Sequence, residues 1–297
     1  MLIFSHEFFD YFCFLLNPAR KITLAIPWSP AATDCLDGRC YPFKDLSKVV
    51  DYMIIMGYDA EEDWWGVNHY GHSTTPYYRL YQGLREYIDC LEIPPYKLAL
   101  AVPWYSFKVD CILNQEKPEE RSKDRMYQCT RRSLQEDGAI KTDYKYQIAD
   151  FMDFENRVDA QGNDMSQNAF YNYHYSDVED SFYFHTKVPN TRPTDVKEHW
   201  VTALPGNGTD GSPGNYDPYI RRLKLAVDSG VSGLGLWETS KLDYDSENKW
   251  ELDYNKKMWD LFTEYSAKMN PSDVNLFEEE SYINNLCRKY LDRYVEP

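Results

Sequence analysis

Four short stretches of the chain are almost unbroken in apolar residues: Lys21–Pro27 (KITLAIP), Asp51–Tyr58 (DYMIIMGY), Lys97–Tyr105 (KLALAVPWY) and Gly233–Trp237 (GLGLW). A strand with one wet face alternates apolar and polar positions. Runs without alternation predict strands covered on both faces, as in parallel sheets. Helical periodicity fills the gaps between them. Pro76–Ile93 sets Tyr77, Leu80, Tyr81, Leu84, Tyr87, Ile88 and Leu91 at three- and four-residue spacing. Asp217 reads as an N-cap, with Pro218 at the first helical position; the stripe Ile220, Leu223, Ala226 and Val227 then stops at Gly230. Tyr254–Tyr265 reads as a further helix, with Met258, Leu261, Phe262 and Tyr265 on one face. Strand–helix alternation of this kind is an α/β fold. Residues 106–215 break the rhythm. They are polar and rich in Tyr and Asp, which predicts an insertion with short strands around Ala169–Tyr175. The tail carries the acidic run Glu278–Glu280 and an amphipathic helix ending near Tyr294.

At 297 residues and 43% hydrophobic, the chain can bury a sizeable core as one large domain or two small ones. The net charge of −16 repels phosphate backbones and anionic lipid, which argues against nucleic acid and membrane surfaces as partners. The seven cysteines form no CxxC pair, so nothing points to a metal site or to any cofactor. Cys35 with Cys40, and Cys111 with Cys129, could close short loops in an oxidising compartment. Asn207-Gly208-Thr209 is a glycosylation acceptor within a Pro/Gly-rich stretch. These features fit a lysosomal or extracellular protein. Met1–Leu16 is apolar but interrupted by His6, Glu7 and Asp10, with no basic lead; it is neither a signal peptide nor a membrane span. An exported body without an export signal predicts a true N-terminus upstream of Met1.

In α/β barrels, chemistry sits where the strands end and the following loops begin. Those ends hold Trp28, then Met56, Tyr58 and Asp59, then Trp104 and Tyr105, then Trp237. Flat aromatic faces suit the C–H faces of a pyranose, and hydroxyls and carboxylates suit its OH groups. The 26 Tyr and 8 Trp make such a cleft easy to build, although most of them will serve as half-buried structural residues.

The stretch DYMIIMGYD, residues 51–59, resembles the sixth strand of the family 18 glycoside hydrolases, which ends in Met-x-Tyr-Asp. Lys97–Tyr105 resembles their seventh strand, Gly233–Trp237 their eighth, and KITLAIPWSP (Lys21–Pro30) falls as the fifth. The sequences Trp-Ser-Pro, Pro-Trp-Tyr and GLGLWETSKLDY are most similar to the di-N-acetylchitobiase branch, over roughly residues 20–265. The resemblance implies a partial TIM (β/α)8 barrel, its C-terminal half, over residues 1–265. Residues 106–215 would be inserted between the last two strands, and 266–297 would form a charged helical tail. It implies an O-glycosyl hydrolase of chitin-type sugars that cleaves or binds β-1,4-linked N-acetylglucosamine oligosaccharides by a substrate-assisted, retaining route. The substrate's own N-acetyl oxygen attacks the anomeric carbon while a Glu protonates the leaving oxygen. Tyr58 would hydrogen-bond that N-acetyl oxygen, Asp59 would hold a sugar hydroxyl, Trp237 would form the floor and Met56 would line the pocket, with Trp28, Trp104 and Tyr105 nearby.

The family's acid stands at the end of the fourth strand, in Asp-x-x-Asp-x-Asp-x-Glu. The twenty residues before Lys21 contain no such motif. Asp150, Asp153 and Glu155 superficially imitate it, but they follow the seventh strand with Arg157 at the acid position, and they read as solvated charges on a helix. Asp243, Asp245 and Glu247 read as a loop beyond the last strand. The expectation is a sequence that begins mid-barrel and is inactive alone. The alternative is a non-catalytic, lectin-like relative.

Overall fold

A computed structural model describes residues 21–33, 41–60, 73–113, 129–130, 133–134, 140–141, 146–150, 174–177, 179–187, 195–203, 216–242, 244–247, 249–270, 285 and 287. Four strands form one parallel sheet: β1 (Thr23–Ile26), β2 (Tyr52–Met56), β3 (Leu98–Pro103) and a last strand, Gly233–Trp237, in sequence order with each beside the one before. Each lies within an apolar run named above. Helices α1 (Phe43–Val49), α2 (Tyr77–Arg85), α3 (Asp217–Asp228) and α4 (Lys249–Ala267) supply the surrounding layer.

Period two in the strands and 3.6 in the helices decides what meets at the core. Ile26, Met53, Ile55, Leu98, Leu100 and Val102 project to one side of the sheet. There they join Leu80 and Leu84 of α2, Tyr219, Leu223 and Ala226 of α3, and Met258 and Leu261 of α4. The opposite side is less covered among the described residues. Thr23 and Ala25 are exposed, and Ile54, Met56 and Ala99 are half-buried. The expectation of strands covered on both faces therefore holds for the helix side.

Three local expectations change. The helix predicted over Pro76–Ile93 is α-helical to Arg85 and then widens into a π turn, Glu86–Cys90. The N-cap of α3 is Tyr216, with Asp217 already inside the first turn, where its charge favours the helix dipole. The run Lys97–Tyr105 breaks at Trp104, whose N–H donates to the Trp237 carbonyl (2.7 Å) beyond the end of β3.

The chain then leaves the parallel sheet as β4 (Tyr105–Leu113), so the insertion begins at Tyr105. Its sheet is built from β4, β5 (Cys129–Thr130), β8 (Tyr146–Asp150), β9 (His174–Ser176), β10 (Ser181–Lys187) and β11 (Asp195–Val201). Their order is β5-β4-β11-β10-β9, with β8 also on β4, all antiparallel; β6 (Ser133–Leu134) and β7 (Ile140–Lys141) pair separately. The last strand of the parallel sheet, Gly233–Trp237, is thus β12. Asp150 ends a strand, not a helix, because it lies opposite Tyr105 in the β4–β8 register.

A disulfide joins Cys90, at the end of the π turn, to Cys287 across 197 residues. This pairing was not among the expected ones. Cys35, Cys40 and Asn207 lie outside the described residues, as do Asp153, Glu155 and all but positions 285 and 287 of the tail beyond 270.

Candidate functional site

The ends of β2, β3 and β12 converge on four side chains. Tyr58 follows Gly57 out of β2, and Gly57 fits there because it has no Cβ: one would lie 2.6 Å from the Ala101 carbonyl oxygen. The next residue, Asp59, is left-handed (φ 51°), a conformation that costs an L residue about 1–2 kcal/mol and that Asp tolerates better than most. Strained backbone of this kind is common where a side chain must be aimed. The Tyr105 hydroxyl donates to Asp59 Oδ1 (2.5 Å). Tyr58 packs edge-on against Tyr105 (ring centroids 6.3 Å apart) and stacks on Trp237 (6.0 Å, planes 17° apart). Trp237 is 51% exposed, so an indole face at the end of β12 is open to solvent. The Trp237–Glu238 peptide is cis.

Burial, then the neighbouring Asp59 charge, pushes the Tyr58 phenol above its ordinary value. The same two causes act more strongly on Tyr105, which is buried and bonded to Asp59. Both phenols are therefore neutral hydrogen-bond donors at any physiological pH. Behind Tyr105, Tyr183 of β10 stacks on Trp200 of β11 (4.9 Å), so the insertion sheet backs the site with an aromatic cluster that includes Tyr58.

Of the residues singled out from sequence, the structure thus brings together Tyr58, Asp59, Tyr105 and Trp237. Met56 is half-buried one residue before Gly57. Trp28 is 8% exposed at the end of β1. Trp104 is placed elsewhere: its indole turns into the helix layer against Trp259 and Phe262 and donates to the Tyr219 hydroxyl (2.7 Å). Fully buried, it has no face to offer a ligand. Alternation along β3 explains this, since Leu98, Leu100, Val102 and Trp104 share the helix side of the sheet. Tyr183 and Trp200 went unnoticed in the sequence because their strands lie in the polar insertion.

The chain as a whole is similar to known proteins. The di-N-acetylchitobiase of Mus musculus is 26% identical over 247 residues, covering 80% of this chain and 55% of that protein. The di-N-acetylchitobiase of Homo sapiens is 29% identical over 92 residues, 31% of this chain and 23% of that one. In sequence the chain is similar to the di-N-acetylchitobiases of the family 18 glycoside hydrolases. It spans about half the length of the mouse relative. No family model matches it. A class V chitinase from Nicotiana tobaccum superposes with a TM-score of 0.51 at 12% identity, covering 85% of this chain and 62% of that one. A spore cortex-lytic enzyme from Bacillus megaterium gives 0.51, also at 12% identity, covering 86% of this chain and 44% of that one. At such identities these structures speak for the fold alone.

Proposed function

We infer that the chain carries the N-acetyl-contacting side of a family 18-type site and binds β-1,4-linked N-acetylglucosamine oligosaccharides. Its four parallel strands would correspond to the fifth to eighth of the barrel. The observation that carries this reading is the convergence of Tyr58, Asp59 and the exposed Trp237 face at one set of strand ends. Trp237 would form the floor under one pyranose ring. Tyr58, held neutral, would donate to the N-acetyl oxygen as negative charge gathers there, and Asp59, oriented by Tyr105, would accept from a sugar hydroxyl. The similar Nicotiana tobaccum chitinase has been solved in complex with NAG4 (TM-score 0.50), which supports the choice of ligand class. The Cys90–Cys287 disulfide supports a lysosomal or extracellular setting.

Hydrolysis requires in addition a carboxylic acid over the leaving oxygen. The 297 residues contain no Asp-x-x-Asp-x-Asp-x-Glu motif to supply one. General acid catalysis contributes about 10²–10⁴-fold, so the chain by itself is proposed to bind without turning over. Titration with N,N′-diacetylchitobiose, followed by tryptophan fluorescence, tests the binding. Saturable quenching that Trp237→Ala abolishes is the expected result, together with no release from a chromogenic diacetylchitobioside. Absence of binding by folded chain would refute the sugar reading, and clear turnover would refute the missing acid.

A further inference from the structure

Gly57–Ala60 is held by more than its own strand. The Gly57 N–H donates to Ala101 O (2.9 Å), and the buried Thr75 hydroxyl donates to Gly57 O (2.6 Å). The Ala60 N–H donates to Thr74 O (3.0 Å), and Arg79 Nη1 donates to Ala60 O (2.5 Å). The Gly57 carbonyl and the Tyr58 N–H belong to one planar peptide unit. Fixing that carbonyl therefore fixes the peptide plane through which the chain enters the Tyr58 Cα, and so narrows the directions open to its side chain.

Residues 73–77 are gripped in turn by the insertion. The Glu179 carboxylate accepts from the Ser73 N–H (3.0 Å) and the Ser73 hydroxyl (2.9 Å). Glu179 O accepts from the Tyr77 N–H at 3.4 Å. From α3, Arg222 reaches the same junction. Its Nη2 donates to Thr75 O (2.5 Å) and Glu179 O (3.2 Å), and its Nη1 donates to Asp180 O (3.0 Å), to the Asp180 carboxylate (3.2 Å) and to Pro218 O (2.8 Å). Arg222 is wholly buried. Burial pushes its guanidinium down to about 10, still above physiological pH, so the junction holds a cation. A buried guanidinium is costly unless its N–H groups are satisfied, and apolar packing would fill the same space more cheaply. What Arg222 does that an apolar residue cannot is tie the carbonyls of residue 75 and residues 179–180 to a single group.

We propose that Thr75 is a positioning residue for Tyr58 and Asp59, and that the Glu179–Arg222 junction makes the insertion sheet the support for that pair. The proposal rests on the reading of Tyr58 as the N-acetyl contact. Its test therefore has one arm that depends on the reading and one that does not. In the first arm, N,N′-diacetylchitobiose and its deacetylated counterpart, the glucosamine dimer, are titrated into the 297-residue chain. Both can stack on Trp237, whereas the acetylated dimer alone meets the Tyr58 hydroxyl through an amide. Thr75→Val keeps the shape and removes the hydroxyl. It should lower the ratio of the two affinities about three- to ten-fold, the equivalent of one hydrogen bond, with little change for the glucosamine dimer. Thr75→Ser should restore the wild-type ratio. A purely structural role for Thr75 would lower the melting temperature and leave the ratio alone, which would overturn the proposal.

In the second arm, amide exchange is measured on the peptide carrying residues 57–60 in the unliganded chain. Thr75→Val should speed its exchange about ten-fold and Thr75→Ser should not, as expected for loss of one local hydrogen bond. Wild-type exchange in Thr75→Val would overturn the coupling whatever the sugar results. Equal wild-type affinity for the two dimers would refute the Tyr58 reading and leave exchange to judge the coupling. Should Thr75→Val fail to fold, Glu179→Gln, at a half-buried side chain, should move both readouts in the same direction, and wild-type values in it would be the overturning result.

Discussion

Gly83→Ala sets helix propensity against packing, and the structure decides the sign. Gly83 lies in α2, where Ala in place of Gly gains about 0.5–1 kcal/mol of backbone entropy. A Cβ built there, however, lies 2.1 Å from the Trp28 carbonyl oxygen, 2.9 Å from the Trp28 carbonyl carbon and 3.0 Å from Ser29 Cα. All three are backbone atoms, so no side-chain rotation relieves the clash. The helix and the end of β1 must part by about 1 Å, a gap that forfeits a quarter to a half of each contact they share. Two bonds span the same seam, from the Ser29 hydroxyl to the Glu86 carboxylate and from the Tyr87 hydroxyl to Pro27 O (3.0 Å). Overpacking costs about 1–3 kcal/mol, and each stretched hydrogen bond adds about 0.5–1.5. After the propensity gain, the net loss is about 1–5 kcal/mol, or roughly 2–8 °C in melting temperature for a domain of this size. Thermal and urea melts followed by circular dichroism give both quantities. A melting temperature equal to or above wild type would refute the close packing of α2 against the end of β1, and with it the placement of Trp28.

Trp104→Phe leaves the buried Tyr219 hydroxyl without its donor and should cost about 1–3 kcal/mol in urea melts; its affinity for diacetylchitobiose should stay at the wild-type value, because Trp104 lies in the helix layer. Tyr58 and Tyr105 have phenols raised above 10.0 in the folded state, so the stability they contribute is intact below pH 10 and is lost as pH rises through the folded values. Melting temperature should therefore fall from about pH 10 upward, and less steeply in Tyr105→Phe; an equal alkaline slope in that variant would contradict the burial of Tyr105. Reducing the Cys90–Cys287 disulfide opens a loop of 197 residues and should lower stability by about 3–5 kcal/mol, read as a lower melting temperature in reductant.

The parallel sheet was legible because uninterrupted apolar runs are a strong signal, and KLALAVPWY or DYMIIMGY leave few alternatives. The break at Trp104 was not legible. Nothing local distinguishes Trp104 from Tyr105, and their opposite fates follow from pleat and from the N–H bond to Trp237 O, which is set by a strand more than a hundred residues away. Tyr58, Asp59 and Trp237 could be named in advance through the resemblance of their motifs, whereas Thr75 and Glu179 act through hydrogen bonds to partners distant in sequence, which no periodicity reports. The disulfide was unreadable for the same reason: spacing suggested neighbouring cysteines, and the fold joins Cys90 to one near the other end of the chain.

That covalent link closes a ring around the whole insertion, α3, β12 and α4. A protease that cuts once anywhere between Cys90 and Cys287 releases nothing. The two pieces travel together on a non-reducing gel and separate only with thiol, and Trp237 stays tethered to the strands that carry Tyr58 and Asp59. A chain built this way can be nicked in its polar loops and still present its aromatic face as one molecule.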